Sequence, residues 1–133
     1  MTYQFERDLE GGIILINVQL DDKHIFKMVL DTGASRTTID TTALYLADYK
    51  MNNMSETSAI ETANGIIEVE VFEVNSLMAL GHSKHRMQVQ VYDFLAHGIL
   101  SDYDGLLGLD FFEGTAFCID MINNTIEILP HKA

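Results

Sequence analysis

A carboxylate at the end of an apolar run is the feature of this sequence with the most to offer chemically. Met28-Val29-Leu30 leads into Asp31, which is followed by Thr32, Gly33, Ala34 and Ser35. Three apolar residues deliver the acid to the end of a buried strand. Gly33 permits a backbone conformation that a side chain would block, and Thr32 and Ser35 supply hydroxyls and amides for hydrogen bonding. A carboxylate held there is kept in place by its neighbours and is available for acid–base work. By itself Asp-Thr-Gly is a short match that chance supplies often, and an ordinary β-turn opening on Asp explains it equally well. The flanking residues are what set it apart.

The other chemistry-bearing residues have simpler explanations. His82 and His85, with His97 nearby, lie in a Gly/Ser/Lys stretch without a carboxylate or thiol at metal-ligand spacing, so solvated loop histidines are expected and no metal or cofactor is called for. Asp102 and Asp104 flank Tyr103 before Gly105 as turn-forming acids, Asp120 belongs to a strand, and Asp110 caps or braces a short helix. Cys118 is the single cysteine, excludes an internal disulfide, and in the apolar stretch TAFCIDM is expected to behave as a small hydrophobe. No serine occupies a G-x-S-x-G elbow and no glycine-rich phosphate loop is present. The seven methionines are expected to fill the core, with Met51 and Met54 as candidates to line a cleft.

The elements that must position Asp31 are mostly strands. GGIILINVQL (11–20), the turn Asp21-Asp22-Lys23 and HIFKMVL (24–30) predict a β-hairpin whose second strand runs straight into Asp31. The segment 37–51 predicts one short helix with Asp40 as N-cap. SAIETANGIIEVEVFEV places Asn64-Gly65 between two alternating arms, a strong hairpin signal. MQVQVYDF (87–94) predicts a further strand with a loop before it over Gly81 to Arg86. LLGLDFFEG then predicts a buried strand end, a glycine turn and one helical turn. TAFCIDM and TIEIL flank Ile122-Asn123-Asn124 as a closing hairpin, with Pro130 beyond the last strand. No repeat, low-complexity tract or linker interrupts the chain, so residues 1–133 are expected to form one mostly β domain.

Composition sets outer limits. At 133 residues, 47% hydrophobic and 21% charged, the chain is long enough to bury roughly 65–70% of its unfolded surface. Its apolar runs fall short of the roughly 20 residues that cross a bilayer, so no membrane association is expected. The start, MTYQFERDLEGG, lacks the apolar stretch of a secretory leader, which makes a cytoplasmic location the expectation. A formal charge of −12 disfavours nucleic acid.

The string Val29-Leu30-Asp31-Thr32-Gly33-Ala34-Ser35 resembles the active-site string of the retropepsin-like aspartic proteases. That family also has a flap hairpin about thirty residues downstream, matched here by the Asn64-Gly65 hairpin. Its late pair of apolar residues and glycine leading into a short helix is matched by Leu106-Leu107-Gly108-Leu109-Asp110-Phe111-Phe112. The closing FCIDMINNTIEIL is similar to the end of bacterial and cellular members, so the resemblance spans roughly residues 11–129. Retroviral members have an arginine after the late glycine where this chain has Leu109, which removes an ion pair at their subunit contact and aligns the chain with the bacterial and cellular branch.

The resemblance implies a single-lobe acid-protease barrel with one or two short helices and a flap hairpin. It implies a peptidase in which two carboxyl groups share one proton. The chain has one Asp-Thr-Gly, so the second aspartate must come from another copy, and a homodimer is expected. Asp31, Thr32 and Gly33 then become the catalytic residues. Ala34 and Ser35, with Ala63, Asn64 and Gly65 at the hairpin tip, become contacts for an extended peptide or unfolded protein. The alternative is a dimeric peptide-binding or assembly module of the same fold with little or no turnover.

Overall fold

The structure, a computed structural model, describes residues 1–8, 10–49, 56–62, 65–97 and 102–130. The predicted first hairpin is present. Ile14–Leu20 (β3) pairs antiparallel with His24–Leu30 (β4), Leu20 opposite His24. Asp21 and Asp22 both have positive φ (53° and 58°), and the amide of Lys23 donates to the carbonyl of Leu20 at 3.1 Å, the tight left-handed turn that suits a twisted ribbon. Before it, Thr2–Gln4 (β1) and Glu6–Arg7 (β2) extend the N-terminal segment along two different sheets.

After the Asp31 loop come Thr38–Asp40 (β5) and a helix over Thr41–Leu46 (α1). Asp40 is the N-cap residue in extended conformation, as expected, yet its side chain does not cap. The carboxylate accepts instead from the amide of Phe94 at 3.1 Å, tying the helix start to a turn 54 residues further along the chain. Next, Glu56–Thr62 (β6) pairs with the long strand Gly65–Ala79 (β7) in a register that sets Thr62 opposite Gly65. Gly65 is therefore a strand residue, while Ala63 and Asn64 lie outside the described residues, as do Met51 and Met54.

One expectation fails between 81 and 86. Those residues are not a loop: all but Gly81 belong to His82–Tyr92 (β8), joined to β7 by a two-residue turn at Leu80-Gly81. Both turn residues have positive φ (54° and 72°), and a Cβ on Gly81 would run into the Tyr3 hydroxyl. Ser83 and His85 alternate outward, and Arg86, exposed beside His85 with positive φ (54°), interrupts the pairing register, which is why the segment looks loop-like in sequence.

Gly105–Leu107 (β9), the short helix Leu109–Phe112 (α2), Thr115–Asp120 (β10) and Thr125–Pro130 (β11) complete the chain. Pro130 is the last residue of β11, opposite Thr115, rather than beyond it. Cys118 is exposed on β10, contrary to its expected burial, because its alternate neighbours Phe117 and Ile119 take the inward face.

The strands β3-β4-β9-β5-β8-β7 follow one another around a closed sheet, and pairing of Gln19 with Met78 and Leu20 with Leu77 joins β7 back to β3. This six-stranded barrel has β2 and β6 at its margins, while β1-β11-β10 form a separate three-stranded sheet. Its interior is filled by inward positions such as Val18, Leu20, Met28, Ile39, Leu77, Val89 and Leu107, all fully buried, with Phe111 and Ile126 packed at the same core. Each such side chain stabilises the fold by roughly 1.5–3 kcal/mol. The architecture is the mostly β, single-lobe barrel that the sequence implies. Among the described residues no helix is long and apolar enough to cross a membrane.

Candidate active site

The Asp31 loop is built by a strand crossing. β9 lies between β4 and β5, parallel to the first and antiparallel to the second. The chain leaves β4 at Leu30, forms the 31–37 loop, and re-enters the sheet as β5 on the other side of β9. Gly105 makes this crossing possible, since a Cβ there would strike the Thr38 carbonyl. The amide of Asp31 donates to the carbonyl of Leu107 at 3.0 Å, so the acid is anchored to the last rung of the ladder.

Within the loop, the amide of Ala34 donates to the carbonyl of Asp31 at 3.1 Å, and the amide of Gly33 donates to Asp31 Oδ1 at 2.9 Å. The side chain thus folds over its own turn, leaving Asp31 half-buried at the surface. Gly33 earns its place differently from the sequence-based expectation. Its φ is not positive; a Cβ would instead sit 3.2 Å from Asp31 Oδ1, crowding the carboxylate. Thr32 and Ser35 are exposed and Ala34 is half-buried. Among the described residues neither the Thr32 nor the Ser35 hydroxyl has a hydrogen-bond partner.

A second loop holds the first. The amide of Leu109 donates to the carbonyl of Ala34 at 2.8 Å. A Cβ on Gly108 would lie 2.6 Å from the carbonyl carbon of Arg36 and 2.9 Å from the Ala34 oxygen, so only glycine allows this backbone-on-backbone packing. Thr37, fully buried, and the half-buried Asp110 then lock the two loops together. Thr37 donates to Asp110 through its amide (3.0 and 2.9 Å to the two oxygens) and its hydroxyl (2.7 Å), while the same hydroxyl accepts from the amide of Gly108 at 3.1 Å. Asp110 also accepts from the amide of Phe111 at 2.9 Å, bracing α2 as anticipated. The role of Thr37 was not foreseen. Its signal was a threonine immediately before β5, six residues after the acid, matched by an acid two residues beyond the late glycine.

Asp104 makes a comparable brace on the other side, accepting from the Lys27 amide at 2.9 Å and donating its own amide to the Lys27 carbonyl at 2.7 Å. Asp120 accepts from the Ile122 and Asn123 amides and the Asn123 side chain, and these bonds hold its carboxyl below the usual range. Both are turn-bracing acids. Of the candidate site residues, Asp31, Thr32, Gly33, Ala34 and Ser35 share one loop; Gly65 begins β7, and no described hydrogen bond joins it to that loop.

His82 and His85 stand in β8, not in a loop, and no group of three or more His, Cys, Asp or Glu able to hold a metal occurs among the described residues. The His82 ring meets Phe111 of α2 edge-on, centroids 5.2 Å apart, with Nε2 buried and unpartnered. Burial, and secondarily Lys84, hold its pKa below the ordinary 6.5, against an opposing pull from the Phe111 backbone. A neutral imidazole preferred by the folded chain binds its proton less readily than in the unfolded chain, so this contribution to stability is complete above about pH 6.5 and is lost as pH falls below it. Thermal unfolding followed from pH 7.5 to 5.5 at one fixed protein concentration should therefore show a shallower acid-side decline in His82→Phe than in the parent. Parallel declines would contradict the assignment.

Residues 16–111 match the family model described as Aspartyl protease. A solved structure, a retropepsin-like aspartic protease from Rickettsia conorii, aligns at a TM-score of 0.68 and 23% identity, over 97% of this chain and 89% of that one. No curated protein matches the chain significantly. The structural likeness establishes the retropepsin-like fold, as found in a bacterial member. With the match running from β3, the first strand of the hairpin that leads into Asp31, to the helix braced by Asp110, this chain belongs to the aspartyl protease family.

Proposed function

We propose that residues 1–133 form one peptidase domain and one half of a homodimeric aspartic endopeptidase, each copy contributing Asp31. The observation that carries the reading is a half-built site: a single, half-buried carboxylate fixed at the end of β4, in a chain with one Asp-Thr-Gly. Amide hydrolysis of this type needs two carboxyls. One, ionised, takes a proton from water while the other, protonated, donates to the substrate carbonyl. Two such groups about 3 Å apart cannot both ionise cheaply, so they share one proton and titrate as a unit, as aspartic proteases generally do. A twofold axis between two Asp31 side chains supplies this pair, and the exposed Thr32 hydroxyls lie free to bond across it. The β6–β7 hairpin serves as a flap that excludes bulk water. In this reading Ala63, Asn64 and Gly65 contribute contacts to an extended peptide or unfolded segment, as Ala34 and Ser35 do from the Asp31 loop.

The test is hydrolysis of an unfolded protein that a statine-type inhibitor blocks. Peptide binding without cleavage from mildly acidic to neutral pH would support the assembly-module alternative instead. Because each subunit brings a formal charge of −12, the dimer should tighten as carboxylates protonate or salt screens them. Sedimentation should show a lower dissociation constant at pH 5.5 than at 7.5, and at 0.5 M than at 0.05 M salt. A constant that fails to fall in either series would contradict this placement of charge.

A further inference from the structure

Beside the Asp31 loop, on the side of α2, runs a groove of about 720 Å³. Met87, Phe112 and Phe117 give it an apolar lining, and Ser35 and Arg36 contribute to it from the Asp31 loop. Arg36 is exposed, and among the described residues it has no hydrogen-bond or ion-pair partner. Its backbone, in contrast, is fixed: its carbonyl packs against Gly108, and the next residue, Thr37, is tied to Asp110. An unpaired guanidinium on a rigid base, five residues from Asp31, is unusual in a chain with 20 acidic and 8 basic residues. The acids at the groove do not pair with it. Asp110 is engaged with Thr37 and Phe111, and the exposed Glu113 carboxylate forms no ion pair with Arg36.

We propose that this groove takes the part of the peptide that extends past the catalytic centre, and that Arg36 selects an acidic side chain there. The inference rests on the peptide-binding reading of the site and gives that site a substrate class: segments pairing apolar residues with one Asp or Glu away from the scissile bond. Guanidinium suits the role because its planar fork meets a carboxylate with two parallel bonds, while the apolar lining accommodates the neighbouring side chains. A general preference for acidic substrates does not follow, since the net charge of the chain repels them elsewhere.

Binding to the Asp31→Asn protein tests this apart from turnover. Extended apolar peptides carrying a single Glu, Gln or Lys, scanned through the outer positions, are titrated against it and against Arg36→Gln and Arg36→Glu made in that background. One position should favour Glu over Gln by about two- to fivefold, as a part-exposed ion pair can. The preference should shrink with salt, vanish in Arg36→Gln and turn towards Lys in Arg36→Glu. Equal binding of Glu and Gln peptides at every position, a preference that survives Arg36→Gln, or failure of any peptide to bind would overturn the assignment. A Glu preference in a protein whose unsubstituted form cleaves nothing would uphold it and defeat the peptidase reading alone.

Discussion

Replacing Asp31 by Asn should abolish peptide hydrolysis, lowering kcat/KM by about 10³-fold or more, with little loss of stability. In the proposed symmetric dimer both members of the shared-proton pair change at once, so the proposed general base and general acid disappear together. The amide is nearly the same size, and its oxygen can still accept from the Gly33 amide, which in the parent donates to Asp31 Oδ1 at 2.9 Å. The ladder bond from the Asp31 amide to Leu107 is untouched. Unfolding midpoints within a few degrees of the parent, beside an activity indistinguishable from background, are the expected pair of results. Residual cleavage that a statine-type inhibitor still blocks would place the reacting carboxyl elsewhere.

The largest effect on the scaffold is expected at Asp110. Its carboxylate takes the amide and hydroxyl of the fully buried Thr37, which donate to no other described group, and the amide of Phe111, which also reaches the Gly108 carbonyl at 3.3 Å. Asp110→Ala leaves buried donors without partners, each at about 1–3 kcal/mol, for a total of roughly 3–5 kcal/mol. For a chain of this length that is a fall of roughly 10–20 °C in Tm. Activity should fall further than the folded fraction, because the Asp31 loop loses its tie to α2. Asp110→Asn keeps one acceptor and should lose about half as much. Asp102→Ala removes the same charge from an exposed turn and should stay within about 0.5 kcal/mol of the parent. Equal effects at 110 and 102 would show that charge, not the Thr37 network, was being measured.

Local chemistry made part of this molecule legible in its sequence. Alternation in 14–20 and 24–30 and the paired aspartates between them specified the β3–β4 hairpin. The glycine after Leu106-Leu107 marked the turn into α2, and the acid following it marked the brace. What escaped notice depends on contacts distant in sequence. Nothing local announces that β9 inserts between β4 and β5, that β5 runs parallel to β8, or that Gln19-Leu20 meets Leu77-Met78 to close the barrel. β1 is too short and polar to predict, and it is held by a C-terminal partner, β11. Two local signals pointed the wrong way. The Gly/Ser/Lys/His composition after Leu80 suggested a loop, whereas a two-residue turn and outward alternation make it a strand. The apolar neighbours of Cys118 suggested burial, whereas alternation in β10 turns them inward and the thiol out. At the site, the five residues of the Asp31 loop were legible as a string. Thr37 was not, because its importance lies in the Asp110 carboxylate that folding brings to it.

The separation of the two Asp31 carboxyls in a crystal of the assembled protein bears most directly on the proposed catalytic pair. Oxygens of the two copies within hydrogen-bonding reach, about 3 Å, across a twofold axis are the predicted result. An assembly in which these side chains face solvent far from each other, or crystals and solutions containing only single chains, would contradict it.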